Sequence, residues 1–188
     1  IPAPSSPYAV SKTSAHWAAL NYREAFGVYV CSGILFNHES ALRGQEFVTK
    51  KVISTVVKIA RGEASELVVG NLNVSRDWGY APAYVEAMFK MMQQERPDDY
   101  VICSGQAHSL EDFVKLAFQA VGLNSKDYLR QDPALFRPVD LSIVYGDNGK
   151  AQRQLGWKYD LPWEELVARL VREEGEFQDF VRATQSKG

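Results

Sequence analysis

The chain has 188 residues, of which 46% are hydrophobic and 23% charged, with a net charge of -2 at neutral pH. That is enough apolar material for one sizeable core, or a core with a small satellite, while scattered basic residues in a near-neutral chain exclude a field for nucleic acid or an anionic membrane. No apolar run approaches the ~20 residues that span a bilayer and no leader pattern opens the sequence; Cys31 and Cys103 have neither disulfide density nor metal spacing and read as core thiols of a protein from a reducing cytoplasm.

In chain order, Ser and Pro before Tyr8 announce a helix that runs to Phe26 and ends at Gly27, a residue suited to a left-handed cap. Tyr8 and Lys12 stand at i and i+4 in its first turns and share one face. An ammonium beside a phenol makes the phenolate less costly, and a phenol lowered from about 10 can act as a base near neutral pH. On spacing alone such a pair is more often solvated surface. Val28 to Phe36 is apolar and rich in β-formers, predicting a buried strand of a parallel sheet that leads into Asn37, His38, Glu39 and Ser40.

After a loop at 41–44, Phe47, Val52, Ile53, Val56, Val57, Ile59 and Ala60 set helical spacing between Glu46 and Arg61. Leu67 to Gly70 predicts a short strand, 71–77 a connecting loop, and Pro82 to Met92 a helix with proline in its first turn. Pro97 to Asp99 reads as a turn and Tyr100 to Gly105 as a strand. Ser109 and Asp112 open the next helix as a near capping box, running to about Gly122. The stretch 127–140 reads as irregular, Ser142 to Asp147 as a strand or an extended lead, and Gly149 to Gly156 as a short helix. Pro162 and Trp163 open a last helix that fades into a polar tail. With no repeat and no low-complexity linker, the whole is expected to form a single α/β unit over 1–188.

Ser6 to Lys12, Asn21 to Glu24, Gly33 to Ser40, Gly70 to Leu72, Arg76 to Gly79, Gln93-Gln94, Asp98 to Ile102 and Leu155 to Trp157 form a series of segments. In that order they resemble the GDP-mannose 4,6-dehydratase family of the extended short-chain dehydrogenase/reductases. The tetrapeptides Asn37-His38-Glu39-Ser40 and Arg76-Asp77-Trp78-Gly79 are more specific than the Tyr8 and Lys12 pair, which the superfamily shares. The resemblance implies a Rossmann-like α/β fold and removal of water from GDP-mannose to give GDP-4-keto-6-deoxymannose, with NADP reduced and reoxidised in one cycle. Tyr8 would be the base at the sugar C4 hydroxyl, and Lys12 its partner and a contact to the nicotinamide ribose. His38 and Arg43 would touch the cofactor, Arg43 at the extra phosphate. Asn37, Thr49, Lys50, Arg76, Arg137 and Asp140 would face the sugar nucleotide, the two arginines holding its diphosphate. Read without the family, Arg76 is a surface ion-pair partner of Asp77, Arg137 a solvated loop residue, His38 a satisfied structural histidine and His16 a packing or surface residue.

The chain departs from the family pattern as well. The Gly-rich phosphate loop, the catalytic Ser or Thr and the catalytic Glu of the family lie upstream of its Tyr, and no such unit precedes Tyr8 here. Ala41-Leu42 stands where the family shows Pro-Arg, Pro82-Ala83 where Arg-Asp is usual, and Asp140 where Glu is common. The expectation is therefore a truncated, C-terminal portion of the enzyme: 1–40 a remnant of the dinucleotide-binding domain with the catalytic helix, 41–188 mainly the substrate lobe. It is expected to be inactive by itself and to associate as a homo-oligomer, because a parallel strand with an uncovered edge promotes pairing. Two alternatives stand beside it: a non-catalytic sugar-nucleotide-binding or oligomerisation module, and another nucleotide-sugar epimerase, dehydratase or reductase.

Overall fold

The computed structural model describes residue 4 and residues 6–136 and 141–185. Helix α1, Pro7–Phe26, begins where expected: the Ser6 hydroxyl accepts from the Ala9 amide at 3.1 Å, and Gly27 closes the helix at φ 64°. None of its residues is buried. It is fastened by polar contacts, Arg23 Nε donating to the Val30 carbonyl at 2.9 Å and its guanidinium pairing with Asp99 at 2.5 Å, while His16 Nδ1 lies 3.2 Å from Ser32 Oγ.

Strands β1, Ser32–Leu35, and β2, Asn37–Glu39, follow. The expected buried strand is thus shorter than Val28 to Phe36 and only partly covered, with Ile34 48% exposed. A parallel strand is buried only when both faces are covered, and Gly33 and Ile34, on opposite faces of β1, are both exposed. Cys31 is accordingly half-buried, whereas Cys103 is fully buried, as a core thiol should be.

Helix α2, Val48–Ala60, turns Val52, Ile53, Val56, Val57 and Ile59 inward at the predicted spacing. Next come β3, Leu67–Val69; β4, Ser75–Arg76; β5, Trp78–Tyr80; α3, Ala81–Met91; β6, Asp99–Ile102; β7, His108–Ser109; and α4, Leu110–Ala120. Ser109 caps α4, its hydroxyl accepting from the Asp112 amide at 3.0 Å. Strands β8, Leu129–Gln131, and β9, Ile143–Val144, then lead to α5, Gly149–Leu155, and α6, Trp163–Gln185. The loop expected at 71–77 therefore contains β4, and the irregular stretch expected at 127–140 contains β8. Both are too short to show periodicity and are held by their neighbours, β4 between β7 and β9, and β8 parallel to β3.

Pairing is otherwise parallel: β1 with β6, and β2 with β5. Two cores result. One joins α2, α4 and α6 around Val52, Val56, Phe113, Phe118, Leu166 and Leu170. The other packs α3, α5 and β6 around Tyr84, Ile102, Ala151 and Trp157. Burying each such aliphatic or aromatic side chain contributes about 1.5–3 kcal/mol. Between the cores runs the β2–β5 pair. Among the described residues no helix is long and apolar enough to cross a membrane, and no group of His, Cys, Asp and Glu is placed to hold a metal.

Candidate functional site

The two most specific tetrapeptides of the sequence turn out to be one structural unit. Strands β2 and β5 lie side by side in parallel, with Asn37 opposite Trp78, His38 opposite Gly79 and Glu39 opposite Tyr80. Side chains alternate across a strand, so Asn37 and Glu39 face one way and His38 the other. The first pair opens on a cleft of about 470 Å³, within the range of small-molecule sites. The ring of His38 instead stacks on Tyr84 at 5.2 Å, in the second core. Gly79 is required there, because a Cβ on it would collide with the Tyr84 ring.

Asn37, Glu39 and Trp78 form the floor of the cleft, Arg43 to Thr49 one wall, Val69 to Asn71 another, and Arg76 and Leu135 complete the rim. Gly70 makes this wall possible: a Cβ there would lie 2.8 Å from the Leu135 carbonyl oxygen. Arg76 donates to the carbonyls of Ser75 at 2.8 Å and Leu141 at 2.6 Å. The guanidinium of Arg43 lies over Phe47, 3.7 Å from the ring centroid, and its buried Nε is 3.5 Å from Glu39 Oε2. Glu39 accepts from Thr49 Oγ1 at 2.7 Å; burial pushes its carboxyl above the usual range, against the pull of Thr49 and Arg43.

Of the residues expected at a site, the cleft thus gathers Asn37, Arg43, Thr49 and Arg76. Lys50 is the correction among them. It is buried inside the first core, its ammonium paired with Glu174 and donating to the Ala41 carbonyl, and it does not line the cleft. Thr49 and Lys50 are neighbours on a helix and point about 100° apart, so one reaches the cleft and the other does not. Arg43 was expected at a cofactor and stands with the substrate candidates. Tyr8 and Lys12 are outside the cleft on the exposed face of α1, with the Lys12 ammonium 5.6 Å from the Tyr8 ring centroid. Tyr8 is 71% exposed. Arg137 and Asp140 lie outside the described residues.

His38 Nδ1 lies 2.8 Å from the Phe36 carbonyl, which can only accept, so Nδ1 carries a hydrogen. Asp77, read as a surface partner of Arg76, is fully buried and serves another end. Its carboxylate accepts from the Ser104 amide and hydroxyl, both at 2.8 Å, and from the Gly105 amide at 2.9 Å. The Gly146 amide joins at 3.4 Å. These charge-assisted bonds lock the ends of β6 and β9 behind the cleft. Burial and Asp77 together push the Cys103 thiol up to about 12, which leaves it inert. Sequence reading had no signal for Asp77's role, since its partners lie 27 or more residues away.

Comparison with known proteins fits this geometry. A sequence model of the family described as GDP-mannose 4,6 dehydratase matches residues 2–170. The chain belongs to that family. It is 49% identical to GDP-mannose 4,6 dehydratase 2 of Arabidopsis thaliana over 171 residues, which is 91% of this chain and 46% of that protein. With the GDP-mannose 4,6 dehydratase of Dictyostelium discoideum it shares 40% over 191 residues, covering 93% and 54%. The chain spans about half the length of the relatives it matches.

Among solved structures, RMD from Pseudomonas aeruginosa, complexed with NADPH, aligns with a TM-score of 0.86 at 23% identity over 94% of this chain and 59% of that one. The dTDP-glucose 4,6-dehydratase of Bacillus anthracis, in complex with NAD, aligns with a TM-score of 0.80 at 19% identity, covering 95% and 55%. These two likenesses show the fold, a Rossmann-like α/β arrangement, as expected.

Proposed function

We propose that this chain provides the sugar-nucleotide site and the catalytic helix of a GDP-mannose 4,6-dehydratase, converting GDP-mannose to GDP-4-keto-6-deoxymannose. The observation that carries this is the pairing of β2 with β5, which brings Asn37, Arg43, Thr49 and Arg76 to one cleft. Three cations, Arg43, Lys51 and Arg76, line it against the carboxylates of Glu39 and Glu46, a balance that suits a diphosphate with neutral sugar and base flanks. Arg76 and Arg137 hold the diphosphate, Asn37 and Thr49 the sugar nucleotide, and Asp140 accepts from a ribose hydroxyl.

Tyr8 removes the proton of the sugar C4 hydroxyl, and Lys12 holds the resulting phenolate. The residues fit NADP as the second ligand: the phenol and ammonium share one open helix face, and His38, its Nδ1 held at the Phe36 carbonyl, leaves Nε2 for a ligand. When bound, the nicotinamide supplies the hydride acceptor and donor of the cycle. Residues 1–40 belong to the dinucleotide-binding side and 41–188 mainly to the substrate side. The free thiols of Cys31 and Cys103 agree with a cytoplasmic setting.

A second reading, binding without chemistry, is favoured for the chain by itself, because Tyr8 and Lys12 are exposed and stand apart from the cleft lining. Supplying in trans the portion of the Arabidopsis relative that this chain does not span tests the two. Loss of one water from GDP-mannose, seen by mass spectrometry and abolished by Tyr8→Phe, supports the dehydratase; GDP binding with no product under any complementation supports the binding module.

A further inference from the structure

Lys50 sits between Thr49 and Lys51, which both line the cleft, yet its own side chain is 3% exposed and turns into the core. There its ammonium meets the Glu174 carboxylate of α6 and donates to the Ala41 carbonyl at 2.6 Å, 4.9 Å from the Phe177 ring centroid. The second Glu174 oxygen accepts from Gln178 Nε2 at 2.7 Å, and Gln178 also donates to Ser54 Oγ at 3.2 Å. Further along, Arg61 pairs with Asp179 at 2.8 Å and Arg182 with Glu63 at 2.5 Å. The later half of α6 is thus joined to the α2 side by a row of polar contacts. Glu174 lies beyond residue 170, where the match to the family model ends.

If Lys50 served only to join α2 to α6, a pair of apolar residues would do as well, since buried ion pairs are seldom better than a packed hydrophobic substitute. An ammonium has three donors, however, and one leaves the helices for Ala41. Ala41 begins the loop that carries Arg43, Glu46 and Phe47 to the cleft; the loop's other contacts are short-range, Leu42 amide to Ser40 Oγ at 3.2 Å, Arg43 amide to Ser40 carbonyl at 3.1 Å, Phe47 amide to Gly44 carbonyl at 3.2 Å and the Arg43 guanidinium to Glu39 at 3.5 Å, so among the described residues Lys50 alone ties it to α6.

We infer that Lys50, fixed by Glu174, is a positioning residue: it holds the Ala41 carbonyl and thereby sets the 41–47 wall of the cleft for its ligand. As regards the ligand, this rests on the cleft being the sugar-nucleotide site. The test replaces the pair with apolar residues, Lys50→Met with Glu174→Leu, which keeps α2 on α6 and removes the donor to Ala41. Arg182→Ala is the control, loosening the same row far from the loop. The expected result is a cooperative melt in both variants. In the double variant alone, amide hydrogen exchange at Arg43 and Phe47 speeds at least tenfold with α2 unchanged, and GDP binding by calorimetry weakens at least tenfold.

Wild-type exchange in the loop, or faster exchange with unchanged GDP affinity, overturns the positioning role. If the wild-type chain binds no GDP, the sugar-nucleotide reading fails by itself, and loop exchange still decides whether Lys50 holds the wall. Should the double variant not melt cooperatively, Lys50→Met with Glu174→Gln, whose amide still meets Gln178, supplies the same comparison.

Discussion

Glu39 and Asp77 are both buried carboxylates on the same pair of motifs, and their surroundings give them different work. Asp77 is surrounded by amide and hydroxyl donors of the 104–105 turn and of Gly146. Asp77→Ala leaves those donors buried and unpaired, a loss of about 3 kcal/mol that urea denaturation would measure. Glu39 has one strong donor, Thr49, and a more distant guanidinium, so burial dominates and raises its carboxyl. A raised carboxyl means the folded state holds the proton more tightly than the unfolded chain does. Stability from this group should therefore fall as pH rises from the unfolded value of about 4.3 through the raised folded value, and level off above it. Glu39→Gln should flatten that slope in melts taken across the acid range; an unchanged slope would assign it to other groups.

At the scale of elements, long helices were legible because their apolar positions repeat. Helix α2 begins and ends within two residues of the reading from Glu46 to Arg61, and the caps at Ser6, Gly27 and Ser109 were visible as residue types. Ser109→Ala should cost about 1 kcal/mol through the lost bond to the Asp112 amide, measured by thermal melting. Leu170→Ala, which hollows the α2–α4–α6 core, should cost about 2–5 kcal/mol. Strands β4 and β8 were not legible, since two or three residues carry no period and exist by virtue of partners 32 to 68 positions away in register, such as Arg76 with His108 and Ser75 with Ile143, whereas β9 falls within the stretch read as a strand or an extended lead. The site divided the same way. Asn37, Thr49 and Arg76 could be named from residue type and resemblance, but that Asn37 stands opposite Trp78, or that Lys50 turns inward to Glu174, depends on pairing and packing that a linear motif does not encode.

For the whole molecule, the apolar surface is uneven. Helix α1 has no buried residue while carrying Trp17, Tyr22 and Phe26, and α3 exposes Val85, Met88 and Phe89, with Met92 just after it. Exposed apolar surface of this extent marks association, so light scattering on the purified chain should report a species larger than one copy; a clean monomer over the micromolar range would contradict that expectation. Helix α1 contributes no residue to either core, which is why the cleft should form without anything docked on α1. The most direct test is calorimetric titration of the chain with GDP, with NADP in parallel. The account predicts saturable GDP binding, weakened at least tenfold by Arg76→Ala, and no NADP binding by this chain alone. A folded chain that takes up no GDP would contradict the assignment of the β2–β5 cleft to the sugar nucleotide.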